Sequence, residues 1–349
     1  MSSLVDPLVA PLDHARVLGI RALGPIGRTL VARRELRVGV NGALSVAMAL
    51  ALTLVAPTWL LAFSPLVMGV PHLLADVRYL VVRPGLHRRW SLWAAIGGPL
   101  AVLAWTGDSR YGLVAIPATA AVALGSRLSR CAGALVGVGV VAAAVVAGRF
   151  ATSMLLAHGH NLVAIAIFLL WRRRRTGWHW LPVVAFSLGY LALLAGWVTP
   201  WRGVGDPSGQ SMAFHVGWYA RGVAEPWATR WVLSFAFAQA VHYGLWIRVV
   251  PDEDQRRDTT RTVRRTLADL VADLGWPAVL GVAAVAVGFL GWGVVAPLAA
   301  RTRYLDLALT HGYLELAVLT LWAVERRVGR ATARSPRGST GQTPGSLER

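Results

Sequence analysis

Lysine is absent from the 349 residues, cysteine occurs once, and acidic residues number only 17. The single Cys131 excludes a disulfide framework and any cysteine-based metal cluster. Charged residues make up 15% of the chain, against roughly a quarter in a soluble domain. Hydrophobic residues make up 55%, and the mean hydropathy is +0.52. This composition belongs to an all-α polytopic membrane protein. Without lysine, the net charge of +18 rests on arginine alone. The arginines lie between apolar segments, with no separate basic domain, so no nucleic-acid partner is expected. No short apolar core with a small-residue cleavage site opens the chain, so no cleavable signal peptide is expected.

The apolar sequence divides into ten segments, at about 39–55, 58–82, 91–106, 110–126, 132–148, 150–171, 178–199, 228–250, 276–299 and 302–324. Arginine is concentrated before the first and after every even-numbered segment, as in "RPGLHRRW", "SRLSR", "RRRR" (172–175), "DEDQRRDTTRTVRR" and "ERRVGR". The positive-inside rule then predicts about ten transmembrane helices with both termini cytoplasmic, placed in a bacterial inner membrane. Residues 1–38 read as a cytoplasmic N-terminal segment, 39–326 as the transmembrane helical domain and 327–349 as a disordered cytoplasmic tail. Within the domain, 252–275 has apolar residues at helical spacing and reads as an amphipathic cytoplasmic segment on the membrane surface. The tryptophans of the long loop 200–227 are expected at the outer interface; a lid or substrate entrance is the other reading.

Of nine histidines, five fall inside apolar segments: His72, His158, His160, His242 and His311. All lie on even-numbered segments, which run in the same direction. Counting back from each basic exit at 1.5 Å per residue puts them in one slab on the order of 10 Å thick. Ionisable residues at that depth mark a functional site by default. Imidazoles offered at one level by several helices are how a metal site is built in a bundle core. Around them, Asp76 and Glu315 stand four residues after His72 and His311, Gln239 stands three before His242, and Tyr243 and Asn161 are close by. These five are expected to hydrogen-bond and orient the ligands, with either carboxylate also able to join the metal. His158 and His160 point about 200° apart on a helix. Asn161 shares the face of His158, while depth favours His160, so the choice stays open.

The donor set suits non-haem iron, copper or zinc, and haem is the competing cofactor. The stretch "GVPHLLADVRYLVV" (69–82) resembles an element of the Brp/Blh family of bacterial membrane beta-carotene 15,15'-dioxygenases. That family carries G-x-P-H-G-x-x-D in a membrane helix. Gly69, Pro71, His72 and Asp76 match, and Leu73 replaces the second glycine. The resemblance covers about a dozen residues. It implies histidines from several helices binding a non-haem iron that cleaves carotene, with His72 one ligand. The family's two histidines four apart on a later helix are not reproduced; this chain has the single His242 there, and His311 followed by Glu315. The expected function is an iron-dependent oxygenase acting with dioxygen on a lipophilic small molecule, such as a carotenoid, terpenoid or acyl chain, dissolved in the bilayer. The alternatives are a haem electron-transfer protein and a transporter with an intramembrane histidine ion or proton site.

Overall fold

The computed structural model describes residues 2–171, 177–201, 209–253 and 262–325. Within them the chain is all-helical, without a strand. The "RRRR" run, the whole 327–349 tail and parts of the 200–227 and 252–275 segments lie outside the described residues. Six helices are long and apolar enough to cross a membrane: Arg34–Val55, Pro57–Val82, Arg127–Phe168, Gly177–Ala195, Trp276–Val295 and Pro297–Val324. Their outward surface is apolar, with Val146 90% and Val294 86% exposed, as lipid contact requires.

The sequence leads one to expect ten such segments, and the difference has physical causes. Arg127–Phe168 has 42 residues, a length of roughly 63 Å, about twice a hydrocarbon core. It breaks at Gly148 (φ 82°, ψ 163°), a conformation that favours glycine. The Ala144 carbonyl is taken there by the Thr152 hydroxyl at 3.0 Å. Gly133 packs on Val324, whereas His160 packs on Gly312. A straight helix would separate Gly133 from His160 by about 40 Å, while Gly312 and Val324 are only about 18 Å apart along theirs. The two halves therefore fold against each other and account for two of the expected segments. The other three are shorter or less apolar. Trp90–Thr106 contains a wide π turn at Trp93–Gly97. The next segment is split into Ser109–Leu113 and Ala115–Val122. Trp227–Gly244 carries Arg230, Gln239 and His242.

Ion pairs join segments at one end of the bundle. Arg37 meets Asp252 at 3.2 Å, Arg78 and Arg83 meet Asp273 at 2.7 and 2.9 Å, and Arg89 meets Glu325 at 2.7 Å. The amphipathic segment forms a helix, Val263–Leu274, whose first amide is capped by Asp13 at 2.6 Å. At the opposite end Arg149 donates to the Gly107 carbonyl at 3.0 Å, and the Trp201 amide donates to Leu54. There the Arg110 guanidinium, hydrogen-bonded to Asp108, holds that carboxyl down at about 2.

The His72 helix, Pro57–Asp76, contains Pro65 and Pro71. Proline has no amide proton, so Pro65 deprives the Leu61 carbonyl of its helical donor. Arg301 replaces that donor, its Nε 2.9 Å from Leu61 O. The "AARTR" stretch reads from sequence as an outside loop. Instead Arg301 is fully buried, near the start of the helix Pro297–Val324.

Candidate metal centre

Imidazoles from four helices meet inside the bundle. His72 comes from Pro57–Asp76, His160 from the second half of Arg127–Trp171, His242 from Trp227–Gly244 and His311 from Pro297–Val324. The His72 ring lies 4.6 Å from that of His242 and 4.7 Å from that of His311. The His160 ring is 5.2 and 5.1 Å from the same two. His72 Nε2 and His242 Nε2 are 2.6 Å apart. The His72 and His242 helices each run straight into a π-helical turn, at Val77–Val82 and Leu245–Val249. Such turns recur at functional sites because they re-aim side chains within a continuous helix.

Two carboxylates enter the same space. Asp76 Oδ2 is 3.1 Å from His72 Nε2, and Glu315 Oε1 is 4.0 Å from His242 Nε2. Trp246 Nε1 donates to Glu315 Oε1 at 3.0 Å and fixes its rotamer. Asp76 and Glu315 are at most 1% exposed, and Glu315 Oε2 has no hydrogen-bond partner among the described residues. Ligand atoms of His72, His242 and His311 lie within 4.8 Å of one another, as do those of His72, Asp76 and Glu315. Either group could hold a metal ion, and His72 belongs to both. Two buried carboxylates beside three imidazoles are costly without a compensating cation or protons. His160 Nδ1 is 3.2 Å from the Leu156 carbonyl, and His311 Nδ1 faces that of Ala308. A carbonyl accepting from Nδ1–H leaves Nε2 as the lone-pair nitrogen, so the backbone sets the tautomer a ligand needs.

Several sequence expectations are corrected by these contacts. Of the pair left open, His160 joins the cluster. His158 turns away, with its Nε2 3.3 Å from the Tyr219 carbonyl and its ring against Trp231 and Phe235. The 200° between them forces this choice. Of the two positions open to Asp76, it takes the one beside the ligand atoms, approaching His72 Nε2, the nitrogen that faces His242. Gln239 does not hold His242; its Nε2 donates to the Tyr243 hydroxyl at 3.0 Å. Tyr243 packs its ring 5.0 Å from that of His72. Asn161 is fully buried, and its amide donates to Ala157 O at 3.3 Å on its own helix. Away from the cluster, His179 and His215 are also buried. His215 lies on a helix, Met212–Tyr219, within that loop.

A cavity of about 370 Å³ opens onto the cluster beside His160 and His311. Its wall is mostly apolar and aromatic, and the loop helix contributes Trp218 and Tyr219. The loop helix thus forms part of the cavity wall, while Trp201, Trp218 and Trp227 keep exposed faces. Tyr304 was missed in the sequence. Its ring tip fills the space over Gly69, where a Cβ would come within 2.1 Å of the hydroxyl. The glycine of the "GVPH" motif is therefore needed for close packing one turn before His72. No protein-family model, curated protein or solved structure matches this chain.

Proposed function

We propose that this chain is a membrane-embedded, metal-dependent oxygenase that uses non-haem iron on a lipophilic substrate such as a carotenoid, terpenoid or acyl chain. One observation carries the reading: imidazoles and carboxylates from separate helices converge beside an apolar cavity inside a membrane-type bundle. A sulfur-free set of nitrogen and oxygen donors fits iron, whose oxygenase sites combine histidine and carboxylate ligands with open positions. Adjacent donors on an octahedral ion stand about 3 Å apart, close to the 2.6 and 3.1 Å around His72 Nε2. Haem fits less well, because two axial imidazole nitrogens need about 4 Å between them to admit the macrocycle.

His72, His242 and His311, with Asp76 and Glu315, would hold the ion, which when bound supplies dioxygen activation. Trp246 holds Glu315 in place. His160 and His311 form the boundary between the centre and the cavity. The aromatic wall excludes water and presents an apolar chain to the metal face. Gly69, His72 and Asp76, three of the four residues that carry the Brp/Blh resemblance, contact the cluster or the cavity wall. This supports carrying over the type of site and leaves the substrate open.

The ten-segment topology belongs to the same proposal. Loops expected on the cytoplasmic side pair with one another through Arg37, Arg78, Arg89 and their carboxylates, and loops expected outside pair at the other end. The termini are then cytoplasmic and the protein integral to a bacterial inner membrane. The test is oxygen uptake by iron-loaded protein in nanodiscs with carotenoid, terpenoid and acyl substrates, read with product analysis. Iron-dependent, stoichiometric oxygen consumption supports the proposal; retained iron with no oxygen-dependent product from any class contradicts it.

A further inference from the structure

The cavity wall carries a polar patch that hydrogen-bond bookkeeping leaves incomplete. Arg301 Nη2 donates to the Tyr219 hydroxyl. A guanidinium only donates, so the Tyr219 oxygen is the acceptor and its own proton must go elsewhere. No acceptor among the described residues takes it. Tyr304 is 1% exposed and has the Tyr243 hydroxyl as a hydrogen-bonding neighbour. Both tyrosines line the cavity, as does Tyr243. Arg301 itself is fully buried, its guanidinium carbon 5.4 Å over the Tyr219 ring, and no carboxylate among the described residues pairs with it. A buried cation behind the Tyr219 phenol makes this wall attractive to electron-rich atoms.

We infer that the cavity selects a lipophile bearing an oxygen acceptor, a carbonyl or carboxylate oxygen, which receives the Tyr219 proton while its apolar chain fills the rest. A pure hydrocarbon would leave the Tyr219 proton buried without an acceptor, and sites built to hydrogen-bond discriminate against ligands that lack the group. The inference rests on the cavity being the substrate site and narrows the class of substrate. At roughly 30 Å³ per water-sized group, the cavity encloses on the order of a dozen heavy atoms. A longer chain would have to extend through its mouth.

The test compares decyl methyl ketone with dodecane, which share a twelve-atom carbon skeleton. Binding of each in radiolabelled form is measured to full-length protein in nanodiscs, corrected for partition into empty nanodiscs. The ketone is expected to bind about tenfold more tightly, the size of one added hydrogen bond. Tyr219→Phe should reduce that ratio while dodecane binding persists, which also shows that the variant folds. Equal affinities in the wild type overturn the inference and leave the apolar-cavity reading intact. A ratio that persists in Tyr219→Phe also overturns it and returns Arg301 to a purely structural role at Leu61. If neither ligand binds, the reading of the cavity as a substrate site fails with it, and metal content measured on the same samples shows whether the metal centre survives.

Discussion

His72 Nε2 and His242 Nε2 face each other at 2.6 Å, from helices 170 residues apart in sequence. Asp76 Oδ2 approaches the same His72 nitrogen at 3.1 Å. Three lone-pair-bearing atoms on one small volume, all nearly sealed from solvent, require protons or a cation between them. A divalent ion would satisfy all three with one charge centre, which is the basis for proposing a metal site over helix packing.

Histidine substitutions separate the two. His72→Ala, His242→Ala and His311→Ala are expected to abolish metal retention in detergent-purified protein, and His158→Ala to leave it at the wild-type level. Metal per chain, with a size-exclusion profile as the folding control, checks this. Equal loss in all four would show that retention reports folding.

The Trp246–Glu315 hydrogen bond offers a graded test. Trp246→Phe removes the donor to Glu315 while keeping most of the aromatic bulk. Loss of such an orienting partner lowers metal affinity by about 10–100-fold. Asp76→Asn, which alters a group at the ligand nitrogen itself, should cost more. Chelator competition at fixed metal measures both.

Pro65 and Arg301 should be coupled. Arg301→Met leaves the Leu61 carbonyl buried without a donor, a cost of about 1–3 kcal/mol. Adding Pro65→Ala supplies a helical amide to that carbonyl, so the double variant should recover part of the loss. A double-mutant cycle in thermal unfolding reads the coupling, and strict additivity would contradict it.

Gly69→Ala should lower stability by about 1–3 kcal/mol through overpacking, because the new methyl would meet the Tyr304 ring tip at 2.1 Å. Replacing Tyr304 with alanine in the same chain should relieve that clash, so the two losses should not add. Melting temperatures of the three variants decide it.

The topology is checked by cysteine labelling in a Cys131→Ser background. Ala224→Cys should react with an impermeant thiol reagent applied from outside, and Arg88→Cys should not. The reverse pattern would invert the bundle and the sidedness proposed for it.

The membrane class and the histidine cluster were legible because cost marks them. Polar atoms in a stretch as apolar as "MLLAHGHNLVAIAIF" persist only for a reason, and depth counted from the arginine exits groups them. Asp76 and Glu315 were legible as neighbours by their spacing of four. Their approach to the ligand nitrogen was not, because spacing fixes a face and not a rotamer. Between His158 and His160 azimuth decided, and helix rotation sets it through contacts such as Gly312 on His160. Arg301 looked like a loop charge because its partner, a carbonyl freed by Pro65, lies 240 residues away in sequence. The helix Trp227–Gly244 was legible as an apolar segment although Arg230, Gln239 and His242 dilute its signal.

The central claim is a metal held by histidine nitrogen and carboxylate oxygen. Iron K-edge X-ray absorption on reconstituted, full-length protein, with metal analysis and an optical spectrum of the same sample, tests it most directly. The account predicts one iron per chain, imidazole scattering with light-atom ligands at about 2.0–2.2 Å, no sulfur and no Soret band. Protein that holds no stoichiometric metal after reconstitution, or that shows a haem spectrum, would contradict it.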